Sequence, residues 1–521
     1  MTPDPSSVTQ LTPLLFLERS AAVFPDKGAI VYGEQRLTYR QFATEVTRLA
    51  RAFEATGIGS GDRVAFLMPN VPELLMAHFA VPLLGAVLVA INTRLSAPEI
   101  EYILDHSGSS LLLADAALLE SLDEFKTPPA VKETVVVDRT LEDFLARGGD
   151  EPLPWRVDDE HRPISINYTS GTTGRPKGVQ YTHRGAYLNA LAELLHSHHH
   201  PNSVYLWTLP MFHCNGWCTT WAIAAIGGTN VCLRAVDPAV VWDLIVAEEV
   251  THLNAAPTVL ISLANHPAAR RFDRPFIVTT AGAPPSPTLI GQMSDLGVEV
   301  VHVYGLTETY GPYTVCEPQE NWAGGSDRIK LMARQGVAYI GADPIRVVDE
   351  EMNDVARDGN TMGEVVMRGN NVMSGYYNDP EATAHAFRGG WFHSGDLAVW
   401  HADGYIELRD RQKDIIISGG ENISTIEVEQ ALVSHPAVLE CAVVAMPHDH
   451  WGERPKAFVV LKPGGQVEAS DLIEHVRGRL AKFKAPEEVE IVEALPKTST
   501  GKIQKYVLRE QVWAGQDKRI N

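Results

Sequence analysis

The stretch Tyr168-Thr-Ser-Gly-Thr-Thr-Gly-Arg-Pro-Lys-Gly-Val179 decides how this 521-residue chain is read. It follows a strand-like run, Pro163 to Tyr168, and concentrates hydroxyls, glycines and one lysine. Glycines let backbone N–H groups turn inward, Ser/Thr hydroxyls add donors and a lysine adds a point charge, so the composition describes a phosphate cradle. Its candidate residues are Thr169, Ser170, Gly171, Thr172, Thr173, Gly174 and Lys177. A Walker loop is excluded. The fifth residue after Gly171 is Pro176, where that motif needs Gly, and no Gly-Lys-Ser/Thr follows. A flexible surface loop is the plain alternative for such a composition.

Outward from the cradle, helical and extended patterns alternate. Phe42, Val46, Leu49 and Phe53 recur with an amphipathic-helix period that Gly57 ends, and Asp62 to Met68 follows as an apolar strand. Gly57-Ile-Gly-Ser-Gly61 is a helix C-cap and turn rather than a dinucleotide loop, because it precedes a strand and lacks the last glycine. Ser96-Ala-Pro-Glu99 reads as a capping box opening a helix towards Gly108, with Ser110 to Asp115 as the next strand. This alternation predicts an α/β fold, a large N-terminal domain of mostly parallel sheets covered by helices. Beyond the Gly-, Asn- and Asp-rich stretch Arg368 to Asp379 the pattern changes near residue 405. Helix Ser424 to Val433, strands Leu439 to Ala445 and Ala457 to Leu461, and helix Ser470 to Ala481 predict a small α+β unit. The expected domains are residues 1–410 and 411–521.

Composition narrows the function. With 65 acidic and 44 basic residues the net charge is −21, which weighs against a nucleic-acid or anionic-membrane partner unless positive potential is local. Cys214, Cys218, Cys232, Cys316 and Cys441 lack paired ligand spacing and suit a reducing compartment. Residues 1 to 30 hold only the short apolar stretch Leu14 to Leu17, and no 18-residue apolar run follows. A soluble, cytoplasmic protein without a membrane span is expected; the terminal Arg-Ile-Asn is not the usual peroxisomal tripeptide.

Residues 169 to 178 match at every position the phosphate signature of the adenylate-forming superfamily. Four further signatures follow in that family's order: Tyr304-Gly-Leu-Thr-Glu308, Ser394-Gly-Asp396, Arg411-Gln-Lys-Asp414 and Pro496-Lys-Thr-Ser-Thr-Gly-Lys502. Over nearly its whole length the chain therefore resembles acyl- and aryl-CoA synthetases, beetle luciferases and the adenylation domains of peptide synthetases. The resemblance implies an acid–thiol ligase that uses ATP, Mg²⁺ and CoA, forming acyl-AMP and pyrophosphate before the thiol attacks. It makes residues 1–410 the AMP- and acyl-binding domain and 411–521 a mobile catalytic cap.

Several residues take roles from their chemistry and from this resemblance. Thr307 and Glu308 follow the apolar strand Val298 to Tyr304, at a sheet's carboxyl end where ligands bind. Glu308 is a hard oxygen ligand suited to Mg²⁺ and Thr307 can bond an α-phosphate; a solvated glutamate is the plain alternative. Asp396, acceptor-only when ionised, can receive two ribose hydroxyls, with the Arg411 fork nearby and Asp403-Gly404 as the hairpin turn between them. By resemblance Tyr304 stacks on adenine, and the backbone of Gly282, Ala283 and Pro284 lines that base. Lys413 matches the hinge, and Lys502 matches the lysine that crosses the domain interface to the carboxylate and α-phosphate. His213 is the gate candidate between acyl pocket and thiol tunnel. Ser418, Gly419 and Gly420 leave room for pantetheine once the small domain rotates, a helix-cap turn being the plain reading of those glycines.

The acyl side is the less legible half. His213 with Cys214 and Cys218 lacks the second ligand pair of a zinc site, and His196, His198, His199 and His200 read as a solvated loop. Segments 211–224, 279–286 and 302–315, which line the pocket by resemblance, contain no Lys or Arg. A second carboxylate would be buried there unpaired, so the expected substrate is a monocarboxylic acid, small to medium, fatty or aryl. Trp217, Tyr310 and Tyr313 are candidates for shortening the pocket. The rival acceptor is a carrier-protein thiol. A nucleotide-binding regulator is disfavoured by the retained Lys502, Glu308 and Asp396, and luciferase-like oxidation by its low prior. Oligomeric state stays open, a homodimer included.

Overall fold

The computed structural model describes residues 8–169, 175–411, 413–419, 421–448, 450–498 and 501–514. Two large sheets carry the strands up to Val337–Ala338, together with the short strand Gly375–Tyr376. One runs Gly375–Tyr376, Gly178–Thr182, Pro163–Tyr168, Val87–Ala90, Arg63–Leu67, Leu111–Ala114, Glu133–Val136. Its last five strands are parallel, while the two that flank the cradle's exit are antiparallel additions. The other sheet has nine strands with a parallel centre, in which His252–Ala255, Phe276–Thr280 and Val298–Leu306 are neighbours.

Between the two sheets lie helices with almost no polar face. Every residue of Pro72–Leu83 except Glu73 is buried, which is what a helix enclosed on all sides requires. By contrast Tyr39–Ala55 buries Phe42, Val46, Leu49 and Phe53 on one stripe, and Thr38 and Gln41 cap its start reciprocally. Glu99 accepts the Ser96 backbone N–H at 2.8 Å and Gly108 closes that helix in the left-handed region.

A third sheet departs from the parallel expectation. Arg346–Val348, Met362–Met367, Phe392–Trp400 and Ile406–Arg411 form a four-stranded antiparallel sheet at the end of the large region. After it, Glu421–Ile423, Ile416–Ser418, Gly452–Leu461 and Val438–His448 form the small unit's own sheet, joined by Glu488–Ile491 and covered by helices Thr425–Val433 and Ala469–Arg477. Ser418 and Glu421 pair across a β-hairpin, which corrects the helix-cap alternative: strands on both sides leave no helix to cap. Among the described residues no helix is long and apolar enough to cross a membrane.

The histidines divide: His198 and His200 are exposed in the loop after helix His183–His196, as expected, whereas His196 ends that helix and is half-buried. His196 donates from Nδ1 to Glu317 at 2.8 Å and accepts the Ile340 N–H at Nε2, and His198 pairs with Glu299 at 3.1 Å. Both rings rim a cavity of about 370 Å³ lined also by Val298, Val300 and Val301. Among the described residues no group of three His, Cys, Asp or Glu is arranged to hold a metal.

Candidate active site

The cradle leaves the sheet at Thr169, whose backbone N–H donates to the Lys177 carbonyl at 3.0 Å and so closes the loop's base. Ser170, Gly171, Thr172, Thr173 and Gly174 lie outside the described residues. Lys177 emerges with its Nζ 4.8 Å above the ring of Tyr376. The Tyr376 hydroxyl donates to Glu308 Oε1 at 2.9 Å. One aromatic side chain thus connects the cradle's lysine to the candidate metal ligand. Sequence reading missed it: Tyr376 sits in the turn-rich stretch, on a two-residue strand whose pairing with Gly178–Thr182 is long-range.

Glu308 fits Mg²⁺. Burial raises its carboxyl above the usual range, since its hydrogen bonds and the charge of Arg411 offset only part of the desolvation and leave further positive charge wanting. A divalent ion would supply that charge, and Mg²⁺ asks for only one or two carboxylates besides waters and phosphate oxygens. Thr307 is held from behind, its carbonyl accepting the Tyr181 hydroxyl, and its Oγ1 is 3.6 Å from Cys214 Sγ.

Asp396 and Arg411 face each other as cross-strand partners on Phe392–Trp400 and Ile406–Arg411. Arg411 Nε lies 3.2 Å from Asp396 Oδ1, and the Tyr304 hydroxyl donates to Oδ2 at 2.7 Å. Asp396 holds the Arg411 guanidinium still more firmly protonated than usual. Tyr304 is thereby pinned, with 8% of its surface exposed. Gly282, at φ +89°, and Ala283 are exposed beyond the strand Phe276–Thr280, with Pro284 half-buried after them.

Lys502 is brought into this group across the chain. The positive charge of Arg411, then burial, lower its ammonium to about 7, with Asp396 and Asp414 opposing. The charge of Lys502, after burial, in turn helps to lower His213 to about 4. Thr258 Oγ1 donates to the Gly501 carbonyl at 3.1 Å, and Arg94 reaches the Thr498 carbonyl at 3.4 Å. Gly501 has φ +82°, and a Cβ there would stand 2.4 Å from Thr258 Oγ1, so the approach requires glycine.

Not every candidate joins the group. Ser418 and Gly419 make their contacts in the small sheet, where a Cβ on Gly419 would meet the Trp451 ring at 2.7 Å. Gly420 lies outside the described residues. Lys413 stands in the turn just after the Arg411 strand, its ammonium lowered chiefly by burial. Of the three residues expected to shorten the acyl pocket, Tyr310 stacks on Tyr181 at 3.9 Å and Tyr313 gives its hydroxyl to carbonyls of Asp343 and Arg368. Their rings fill core space, leaving Trp217, packed over Gly311.

Trp217 belongs to a left-handed turn. Cys214, Asn215, Gly216, Trp217 and Cys218 have φ of 49, 44, 58, 56 and 63°. Such backbone costs roughly 1–2 kcal/mol per non-glycine residue, so consecutive examples need strong surroundings. Nothing in the apolar look of residues 211–224 signals it.

Family comparison agrees with this geometry. The model of the AMP-binding enzyme family matches residues 17–377, and that of the AMP-binding enzyme C-terminal domain matches 427–502. The chain belongs to the AMP-binding enzyme family. An acetate–CoA ligase of Humulus lupulus is 45% identical over 540 residues, covering 97% of this chain and 95% of that one. A peroxisomal trans-cinnamate:CoA ligase of Petunia hybrida is 43% identical, covering 96% and 94%. Among solved structures, the o-succinylbenzoate coenzyme A synthetase of Bacillus subtilis in complex with ATP and magnesium ion superposes with TM-score 0.82 at 29% identity, covering 95% of this chain and 98% of that one.

Proposed function

We propose that this chain is an ATP-dependent, AMP-forming carboxylic acid–CoA ligase. The observation that carries the reading is the convergence of Lys502, Arg411, Asp396 and Glu308 from separate parts of the chain, beside the base of the phosphate cradle. A polyanion and a carboxylate have to approach each other in this reaction; Lys502 and Arg411 put cations where both arrive, and Glu308 is the ligand through which Mg²⁺ would add another.

In the first half-reaction an oxygen of the acid attacks the α-phosphorus and pyrophosphate leaves. Asp396 accepts the ribose hydroxyls, oriented by Arg411 and the Tyr304 hydroxyl. Lys177 and the cradle amides hold the outer phosphates, and Thr307 faces the α-phosphate. Glu308 is the residue that would hold Mg²⁺, which when bound supplies charge neutralisation on phosphate oxygens. Lys502 offsets the charge of the two approaching anions, and a substrate anion beside it raises its proton affinity above the present value of about 7. No enzyme nucleophile is required, since positioning and charge neutralisation lower the barrier.

In the second half-reaction a thiol needs the same carbonyl that Lys502 serves. Rotation of residues 411–521 about Lys413 would withdraw the lysine loop and bring the Ser418–Gly419 hairpin towards a pantetheine arm. Free CoA is favoured over a carrier protein as acceptor because the relatives compared are named CoA ligases. The absence of Lys and Arg from segments 211–224, 279–286 and 302–315 supports a small-to-medium monoacid. All five cysteines are unpaired and buried, in keeping with a reducing, cytoplasmic setting.

The test is AMP release with ATP, Mg²⁺, CoA and a panel of acids. Turnover is expected with monoacids such as acetate, butyrate and cinnamate and is expected to be far lower with malonate and succinate. No AMP with any acid would overturn the class, and equal rates on the diacids would overturn the substrate assignment.

A further inference from the structure

The left-handed turn is held by a set of neutral hydrogen bonds that ends on the strand feeding the phosphate cradle. At its centre is Asn215, fully buried. Its Oδ1 accepts from the Ser165 hydroxyl and from Asn167 Nδ2, both at 2.6 Å, and its backbone N–H donates to Asn167 Oδ1 at 3.3 Å. Ser165 and Asn167 are interior residues of Pro163–Tyr168, the strand that runs directly into Thr169. On the other side Asn215 Nδ2 meets His78 Nε2 at 3.0 Å.

The direction of every bond follows from the ends. His78 Nδ1 lies 2.7 Å from the Leu74 carbonyl, which can only accept, so Nδ1 carries the proton and Nε2 accepts from Asn215. Burial, which lowers His78 to about 4, keeps that ring neutral and the sequence of donors and acceptors intact. Thr220 Oγ1 adds a bond to the Asn215 carbonyl at 3.0 Å.

The turn so held touches the reaction centre at two points. Cys214 Sγ is 3.6 Å from Thr307 Oγ1, and His213, the residue before it, feels the charge of Lys502. Trp217 leaves the same turn to pack over Gly311.

We propose that Asn215 is a positioning residue for the acid: it fixes the wall formed by His213, Cys214 and Trp217 at a set distance from the phosphate strand, so that the bound carboxylate meets the α-phosphorus. The inference rests on the ligase reading above. Asparagine tolerates left-handed backbone better than most residues, and glycine better still. Asn215→Gly therefore keeps the turn's preferred backbone and removes only its side-chain bonds.

The experiment measures steady-state kinetics of full-length Asn215→Gly with butyrate, or with whichever panel acid the unaltered enzyme turns over fastest. The expected result is a KM for the acid raised about tenfold or more, a KM for ATP within about twofold and a single thermal transition. A KM for the acid equal to that of the unaltered enzyme would overturn the proposal, showing that only left-handed tolerance matters. Equal rises in both KM values would overturn it in favour of general loosening. Ser165→Ala, which leaves the turn's sequence intact, decides by the same criteria if the first variant does not fold, with an expected acid-specific rise of about threefold. An unaltered enzyme inactive on every acid would instead bring down the ligase reading itself.

Discussion

The two ends of the candidate site are built from opposite materials. Where nucleotide would bind, the side chains are charged and already paired: Asp396 with Arg411, Tyr304 on Asp396, Tyr376 on Glu308. Where the acid would bind, the buried groups are neutral amides, a hydroxyl and an imidazole, and the backbone rather than a side-chain charge is out of the ordinary. The contrast reflects cost. A polyanion brings charge that fixed cations and amides can answer, whereas an apolar acyl group offers nothing to offset a buried ion, so its walls are ordered by neutral bonds. An overall charge of −21 is compatible with binding polyanions because Lys177, Arg411 and Lys502 supply positive charge locally.

The sharpest way to break this contrast is to remove the cation that crosses between the ends. Lys502→Ala is expected to lower acid-dependent pyrophosphate release by ~10²–10³, the usual loss for one preorganised donor. Transfer to CoA from supplied acyl-AMP should largely survive, and rapid-quench measurement of both steps checks this. Equal loss of both would mean that Lys502 serves the two ends alike.

Acid is the next lever, and it acts on the neutral end. His78 titrates near 4 when folded against 6.5 unfolded, so between those values the unfolded chain binds more protons. Stability from this group is fully present above 6.5 and is lost as pH falls towards 4, by up to about 3 kcal/mol. His183 and His302, also lowered to about 4 by burial, add in the same direction. Denaturant midpoints at pH 7 and pH 4.5 measure the loss; for His78→Phe, replacing the titrating ring, the difference should shrink.

The smallest expected effect probes the charged end. Tyr376→Phe removes the hydroxyl that orients Glu308 while keeping the ring under Lys177, and loss of such an orienting partner typically costs ~10-fold in metal affinity or more. A raised Mg²⁺ requirement, with the KM for the acid unchanged, is the expected reading of a magnesium titration. A shift in the acid's KM would mean that the two ends are not independently built.

How much of this could be read beforehand divides along the same line. The charged end was legible because its residues lie in short local signatures beside strands and turns: Thr307–Glu308 after an apolar strand, Asp396 and Arg411 on either side of Asp403-Gly404. Even there Tyr376 escaped, since a two-residue strand has no period to detect and its partner is some two hundred residues away. The neutral end was illegible for a different reason. Asn215 sits in an apolar segment whose composition suits a buried helix, and positive φ at four non-glycine residues is imposed by tertiary contacts from residues 78, 165 and 167. Of the antiparallel sheet of residues 346–411, the hairpin at Asp403-Gly404 was read, but the strands Arg346–Val348 and Met362–Met367 that extend it were hidden behind the dominant alternation. So was the stacking of Tyr310 on Tyr181, which assigns to the core a ring expected in the pocket.

The grip on the lysine loop sets a clock. Thr258 and Arg94 hold it by two backbone carbonyls, one through a neutral hydroxyl bond and one through a long contact at 3.4 Å. At about 1 kcal/mol net per such bond, the two together favour the seated loop by roughly one order of magnitude in population, in addition to whatever Lys502 gains from Asp396 and Asp414. Under the proposed rotation, a stronger seat would trade turnover for occupancy, with intermediate accumulating behind a door that opens too seldom.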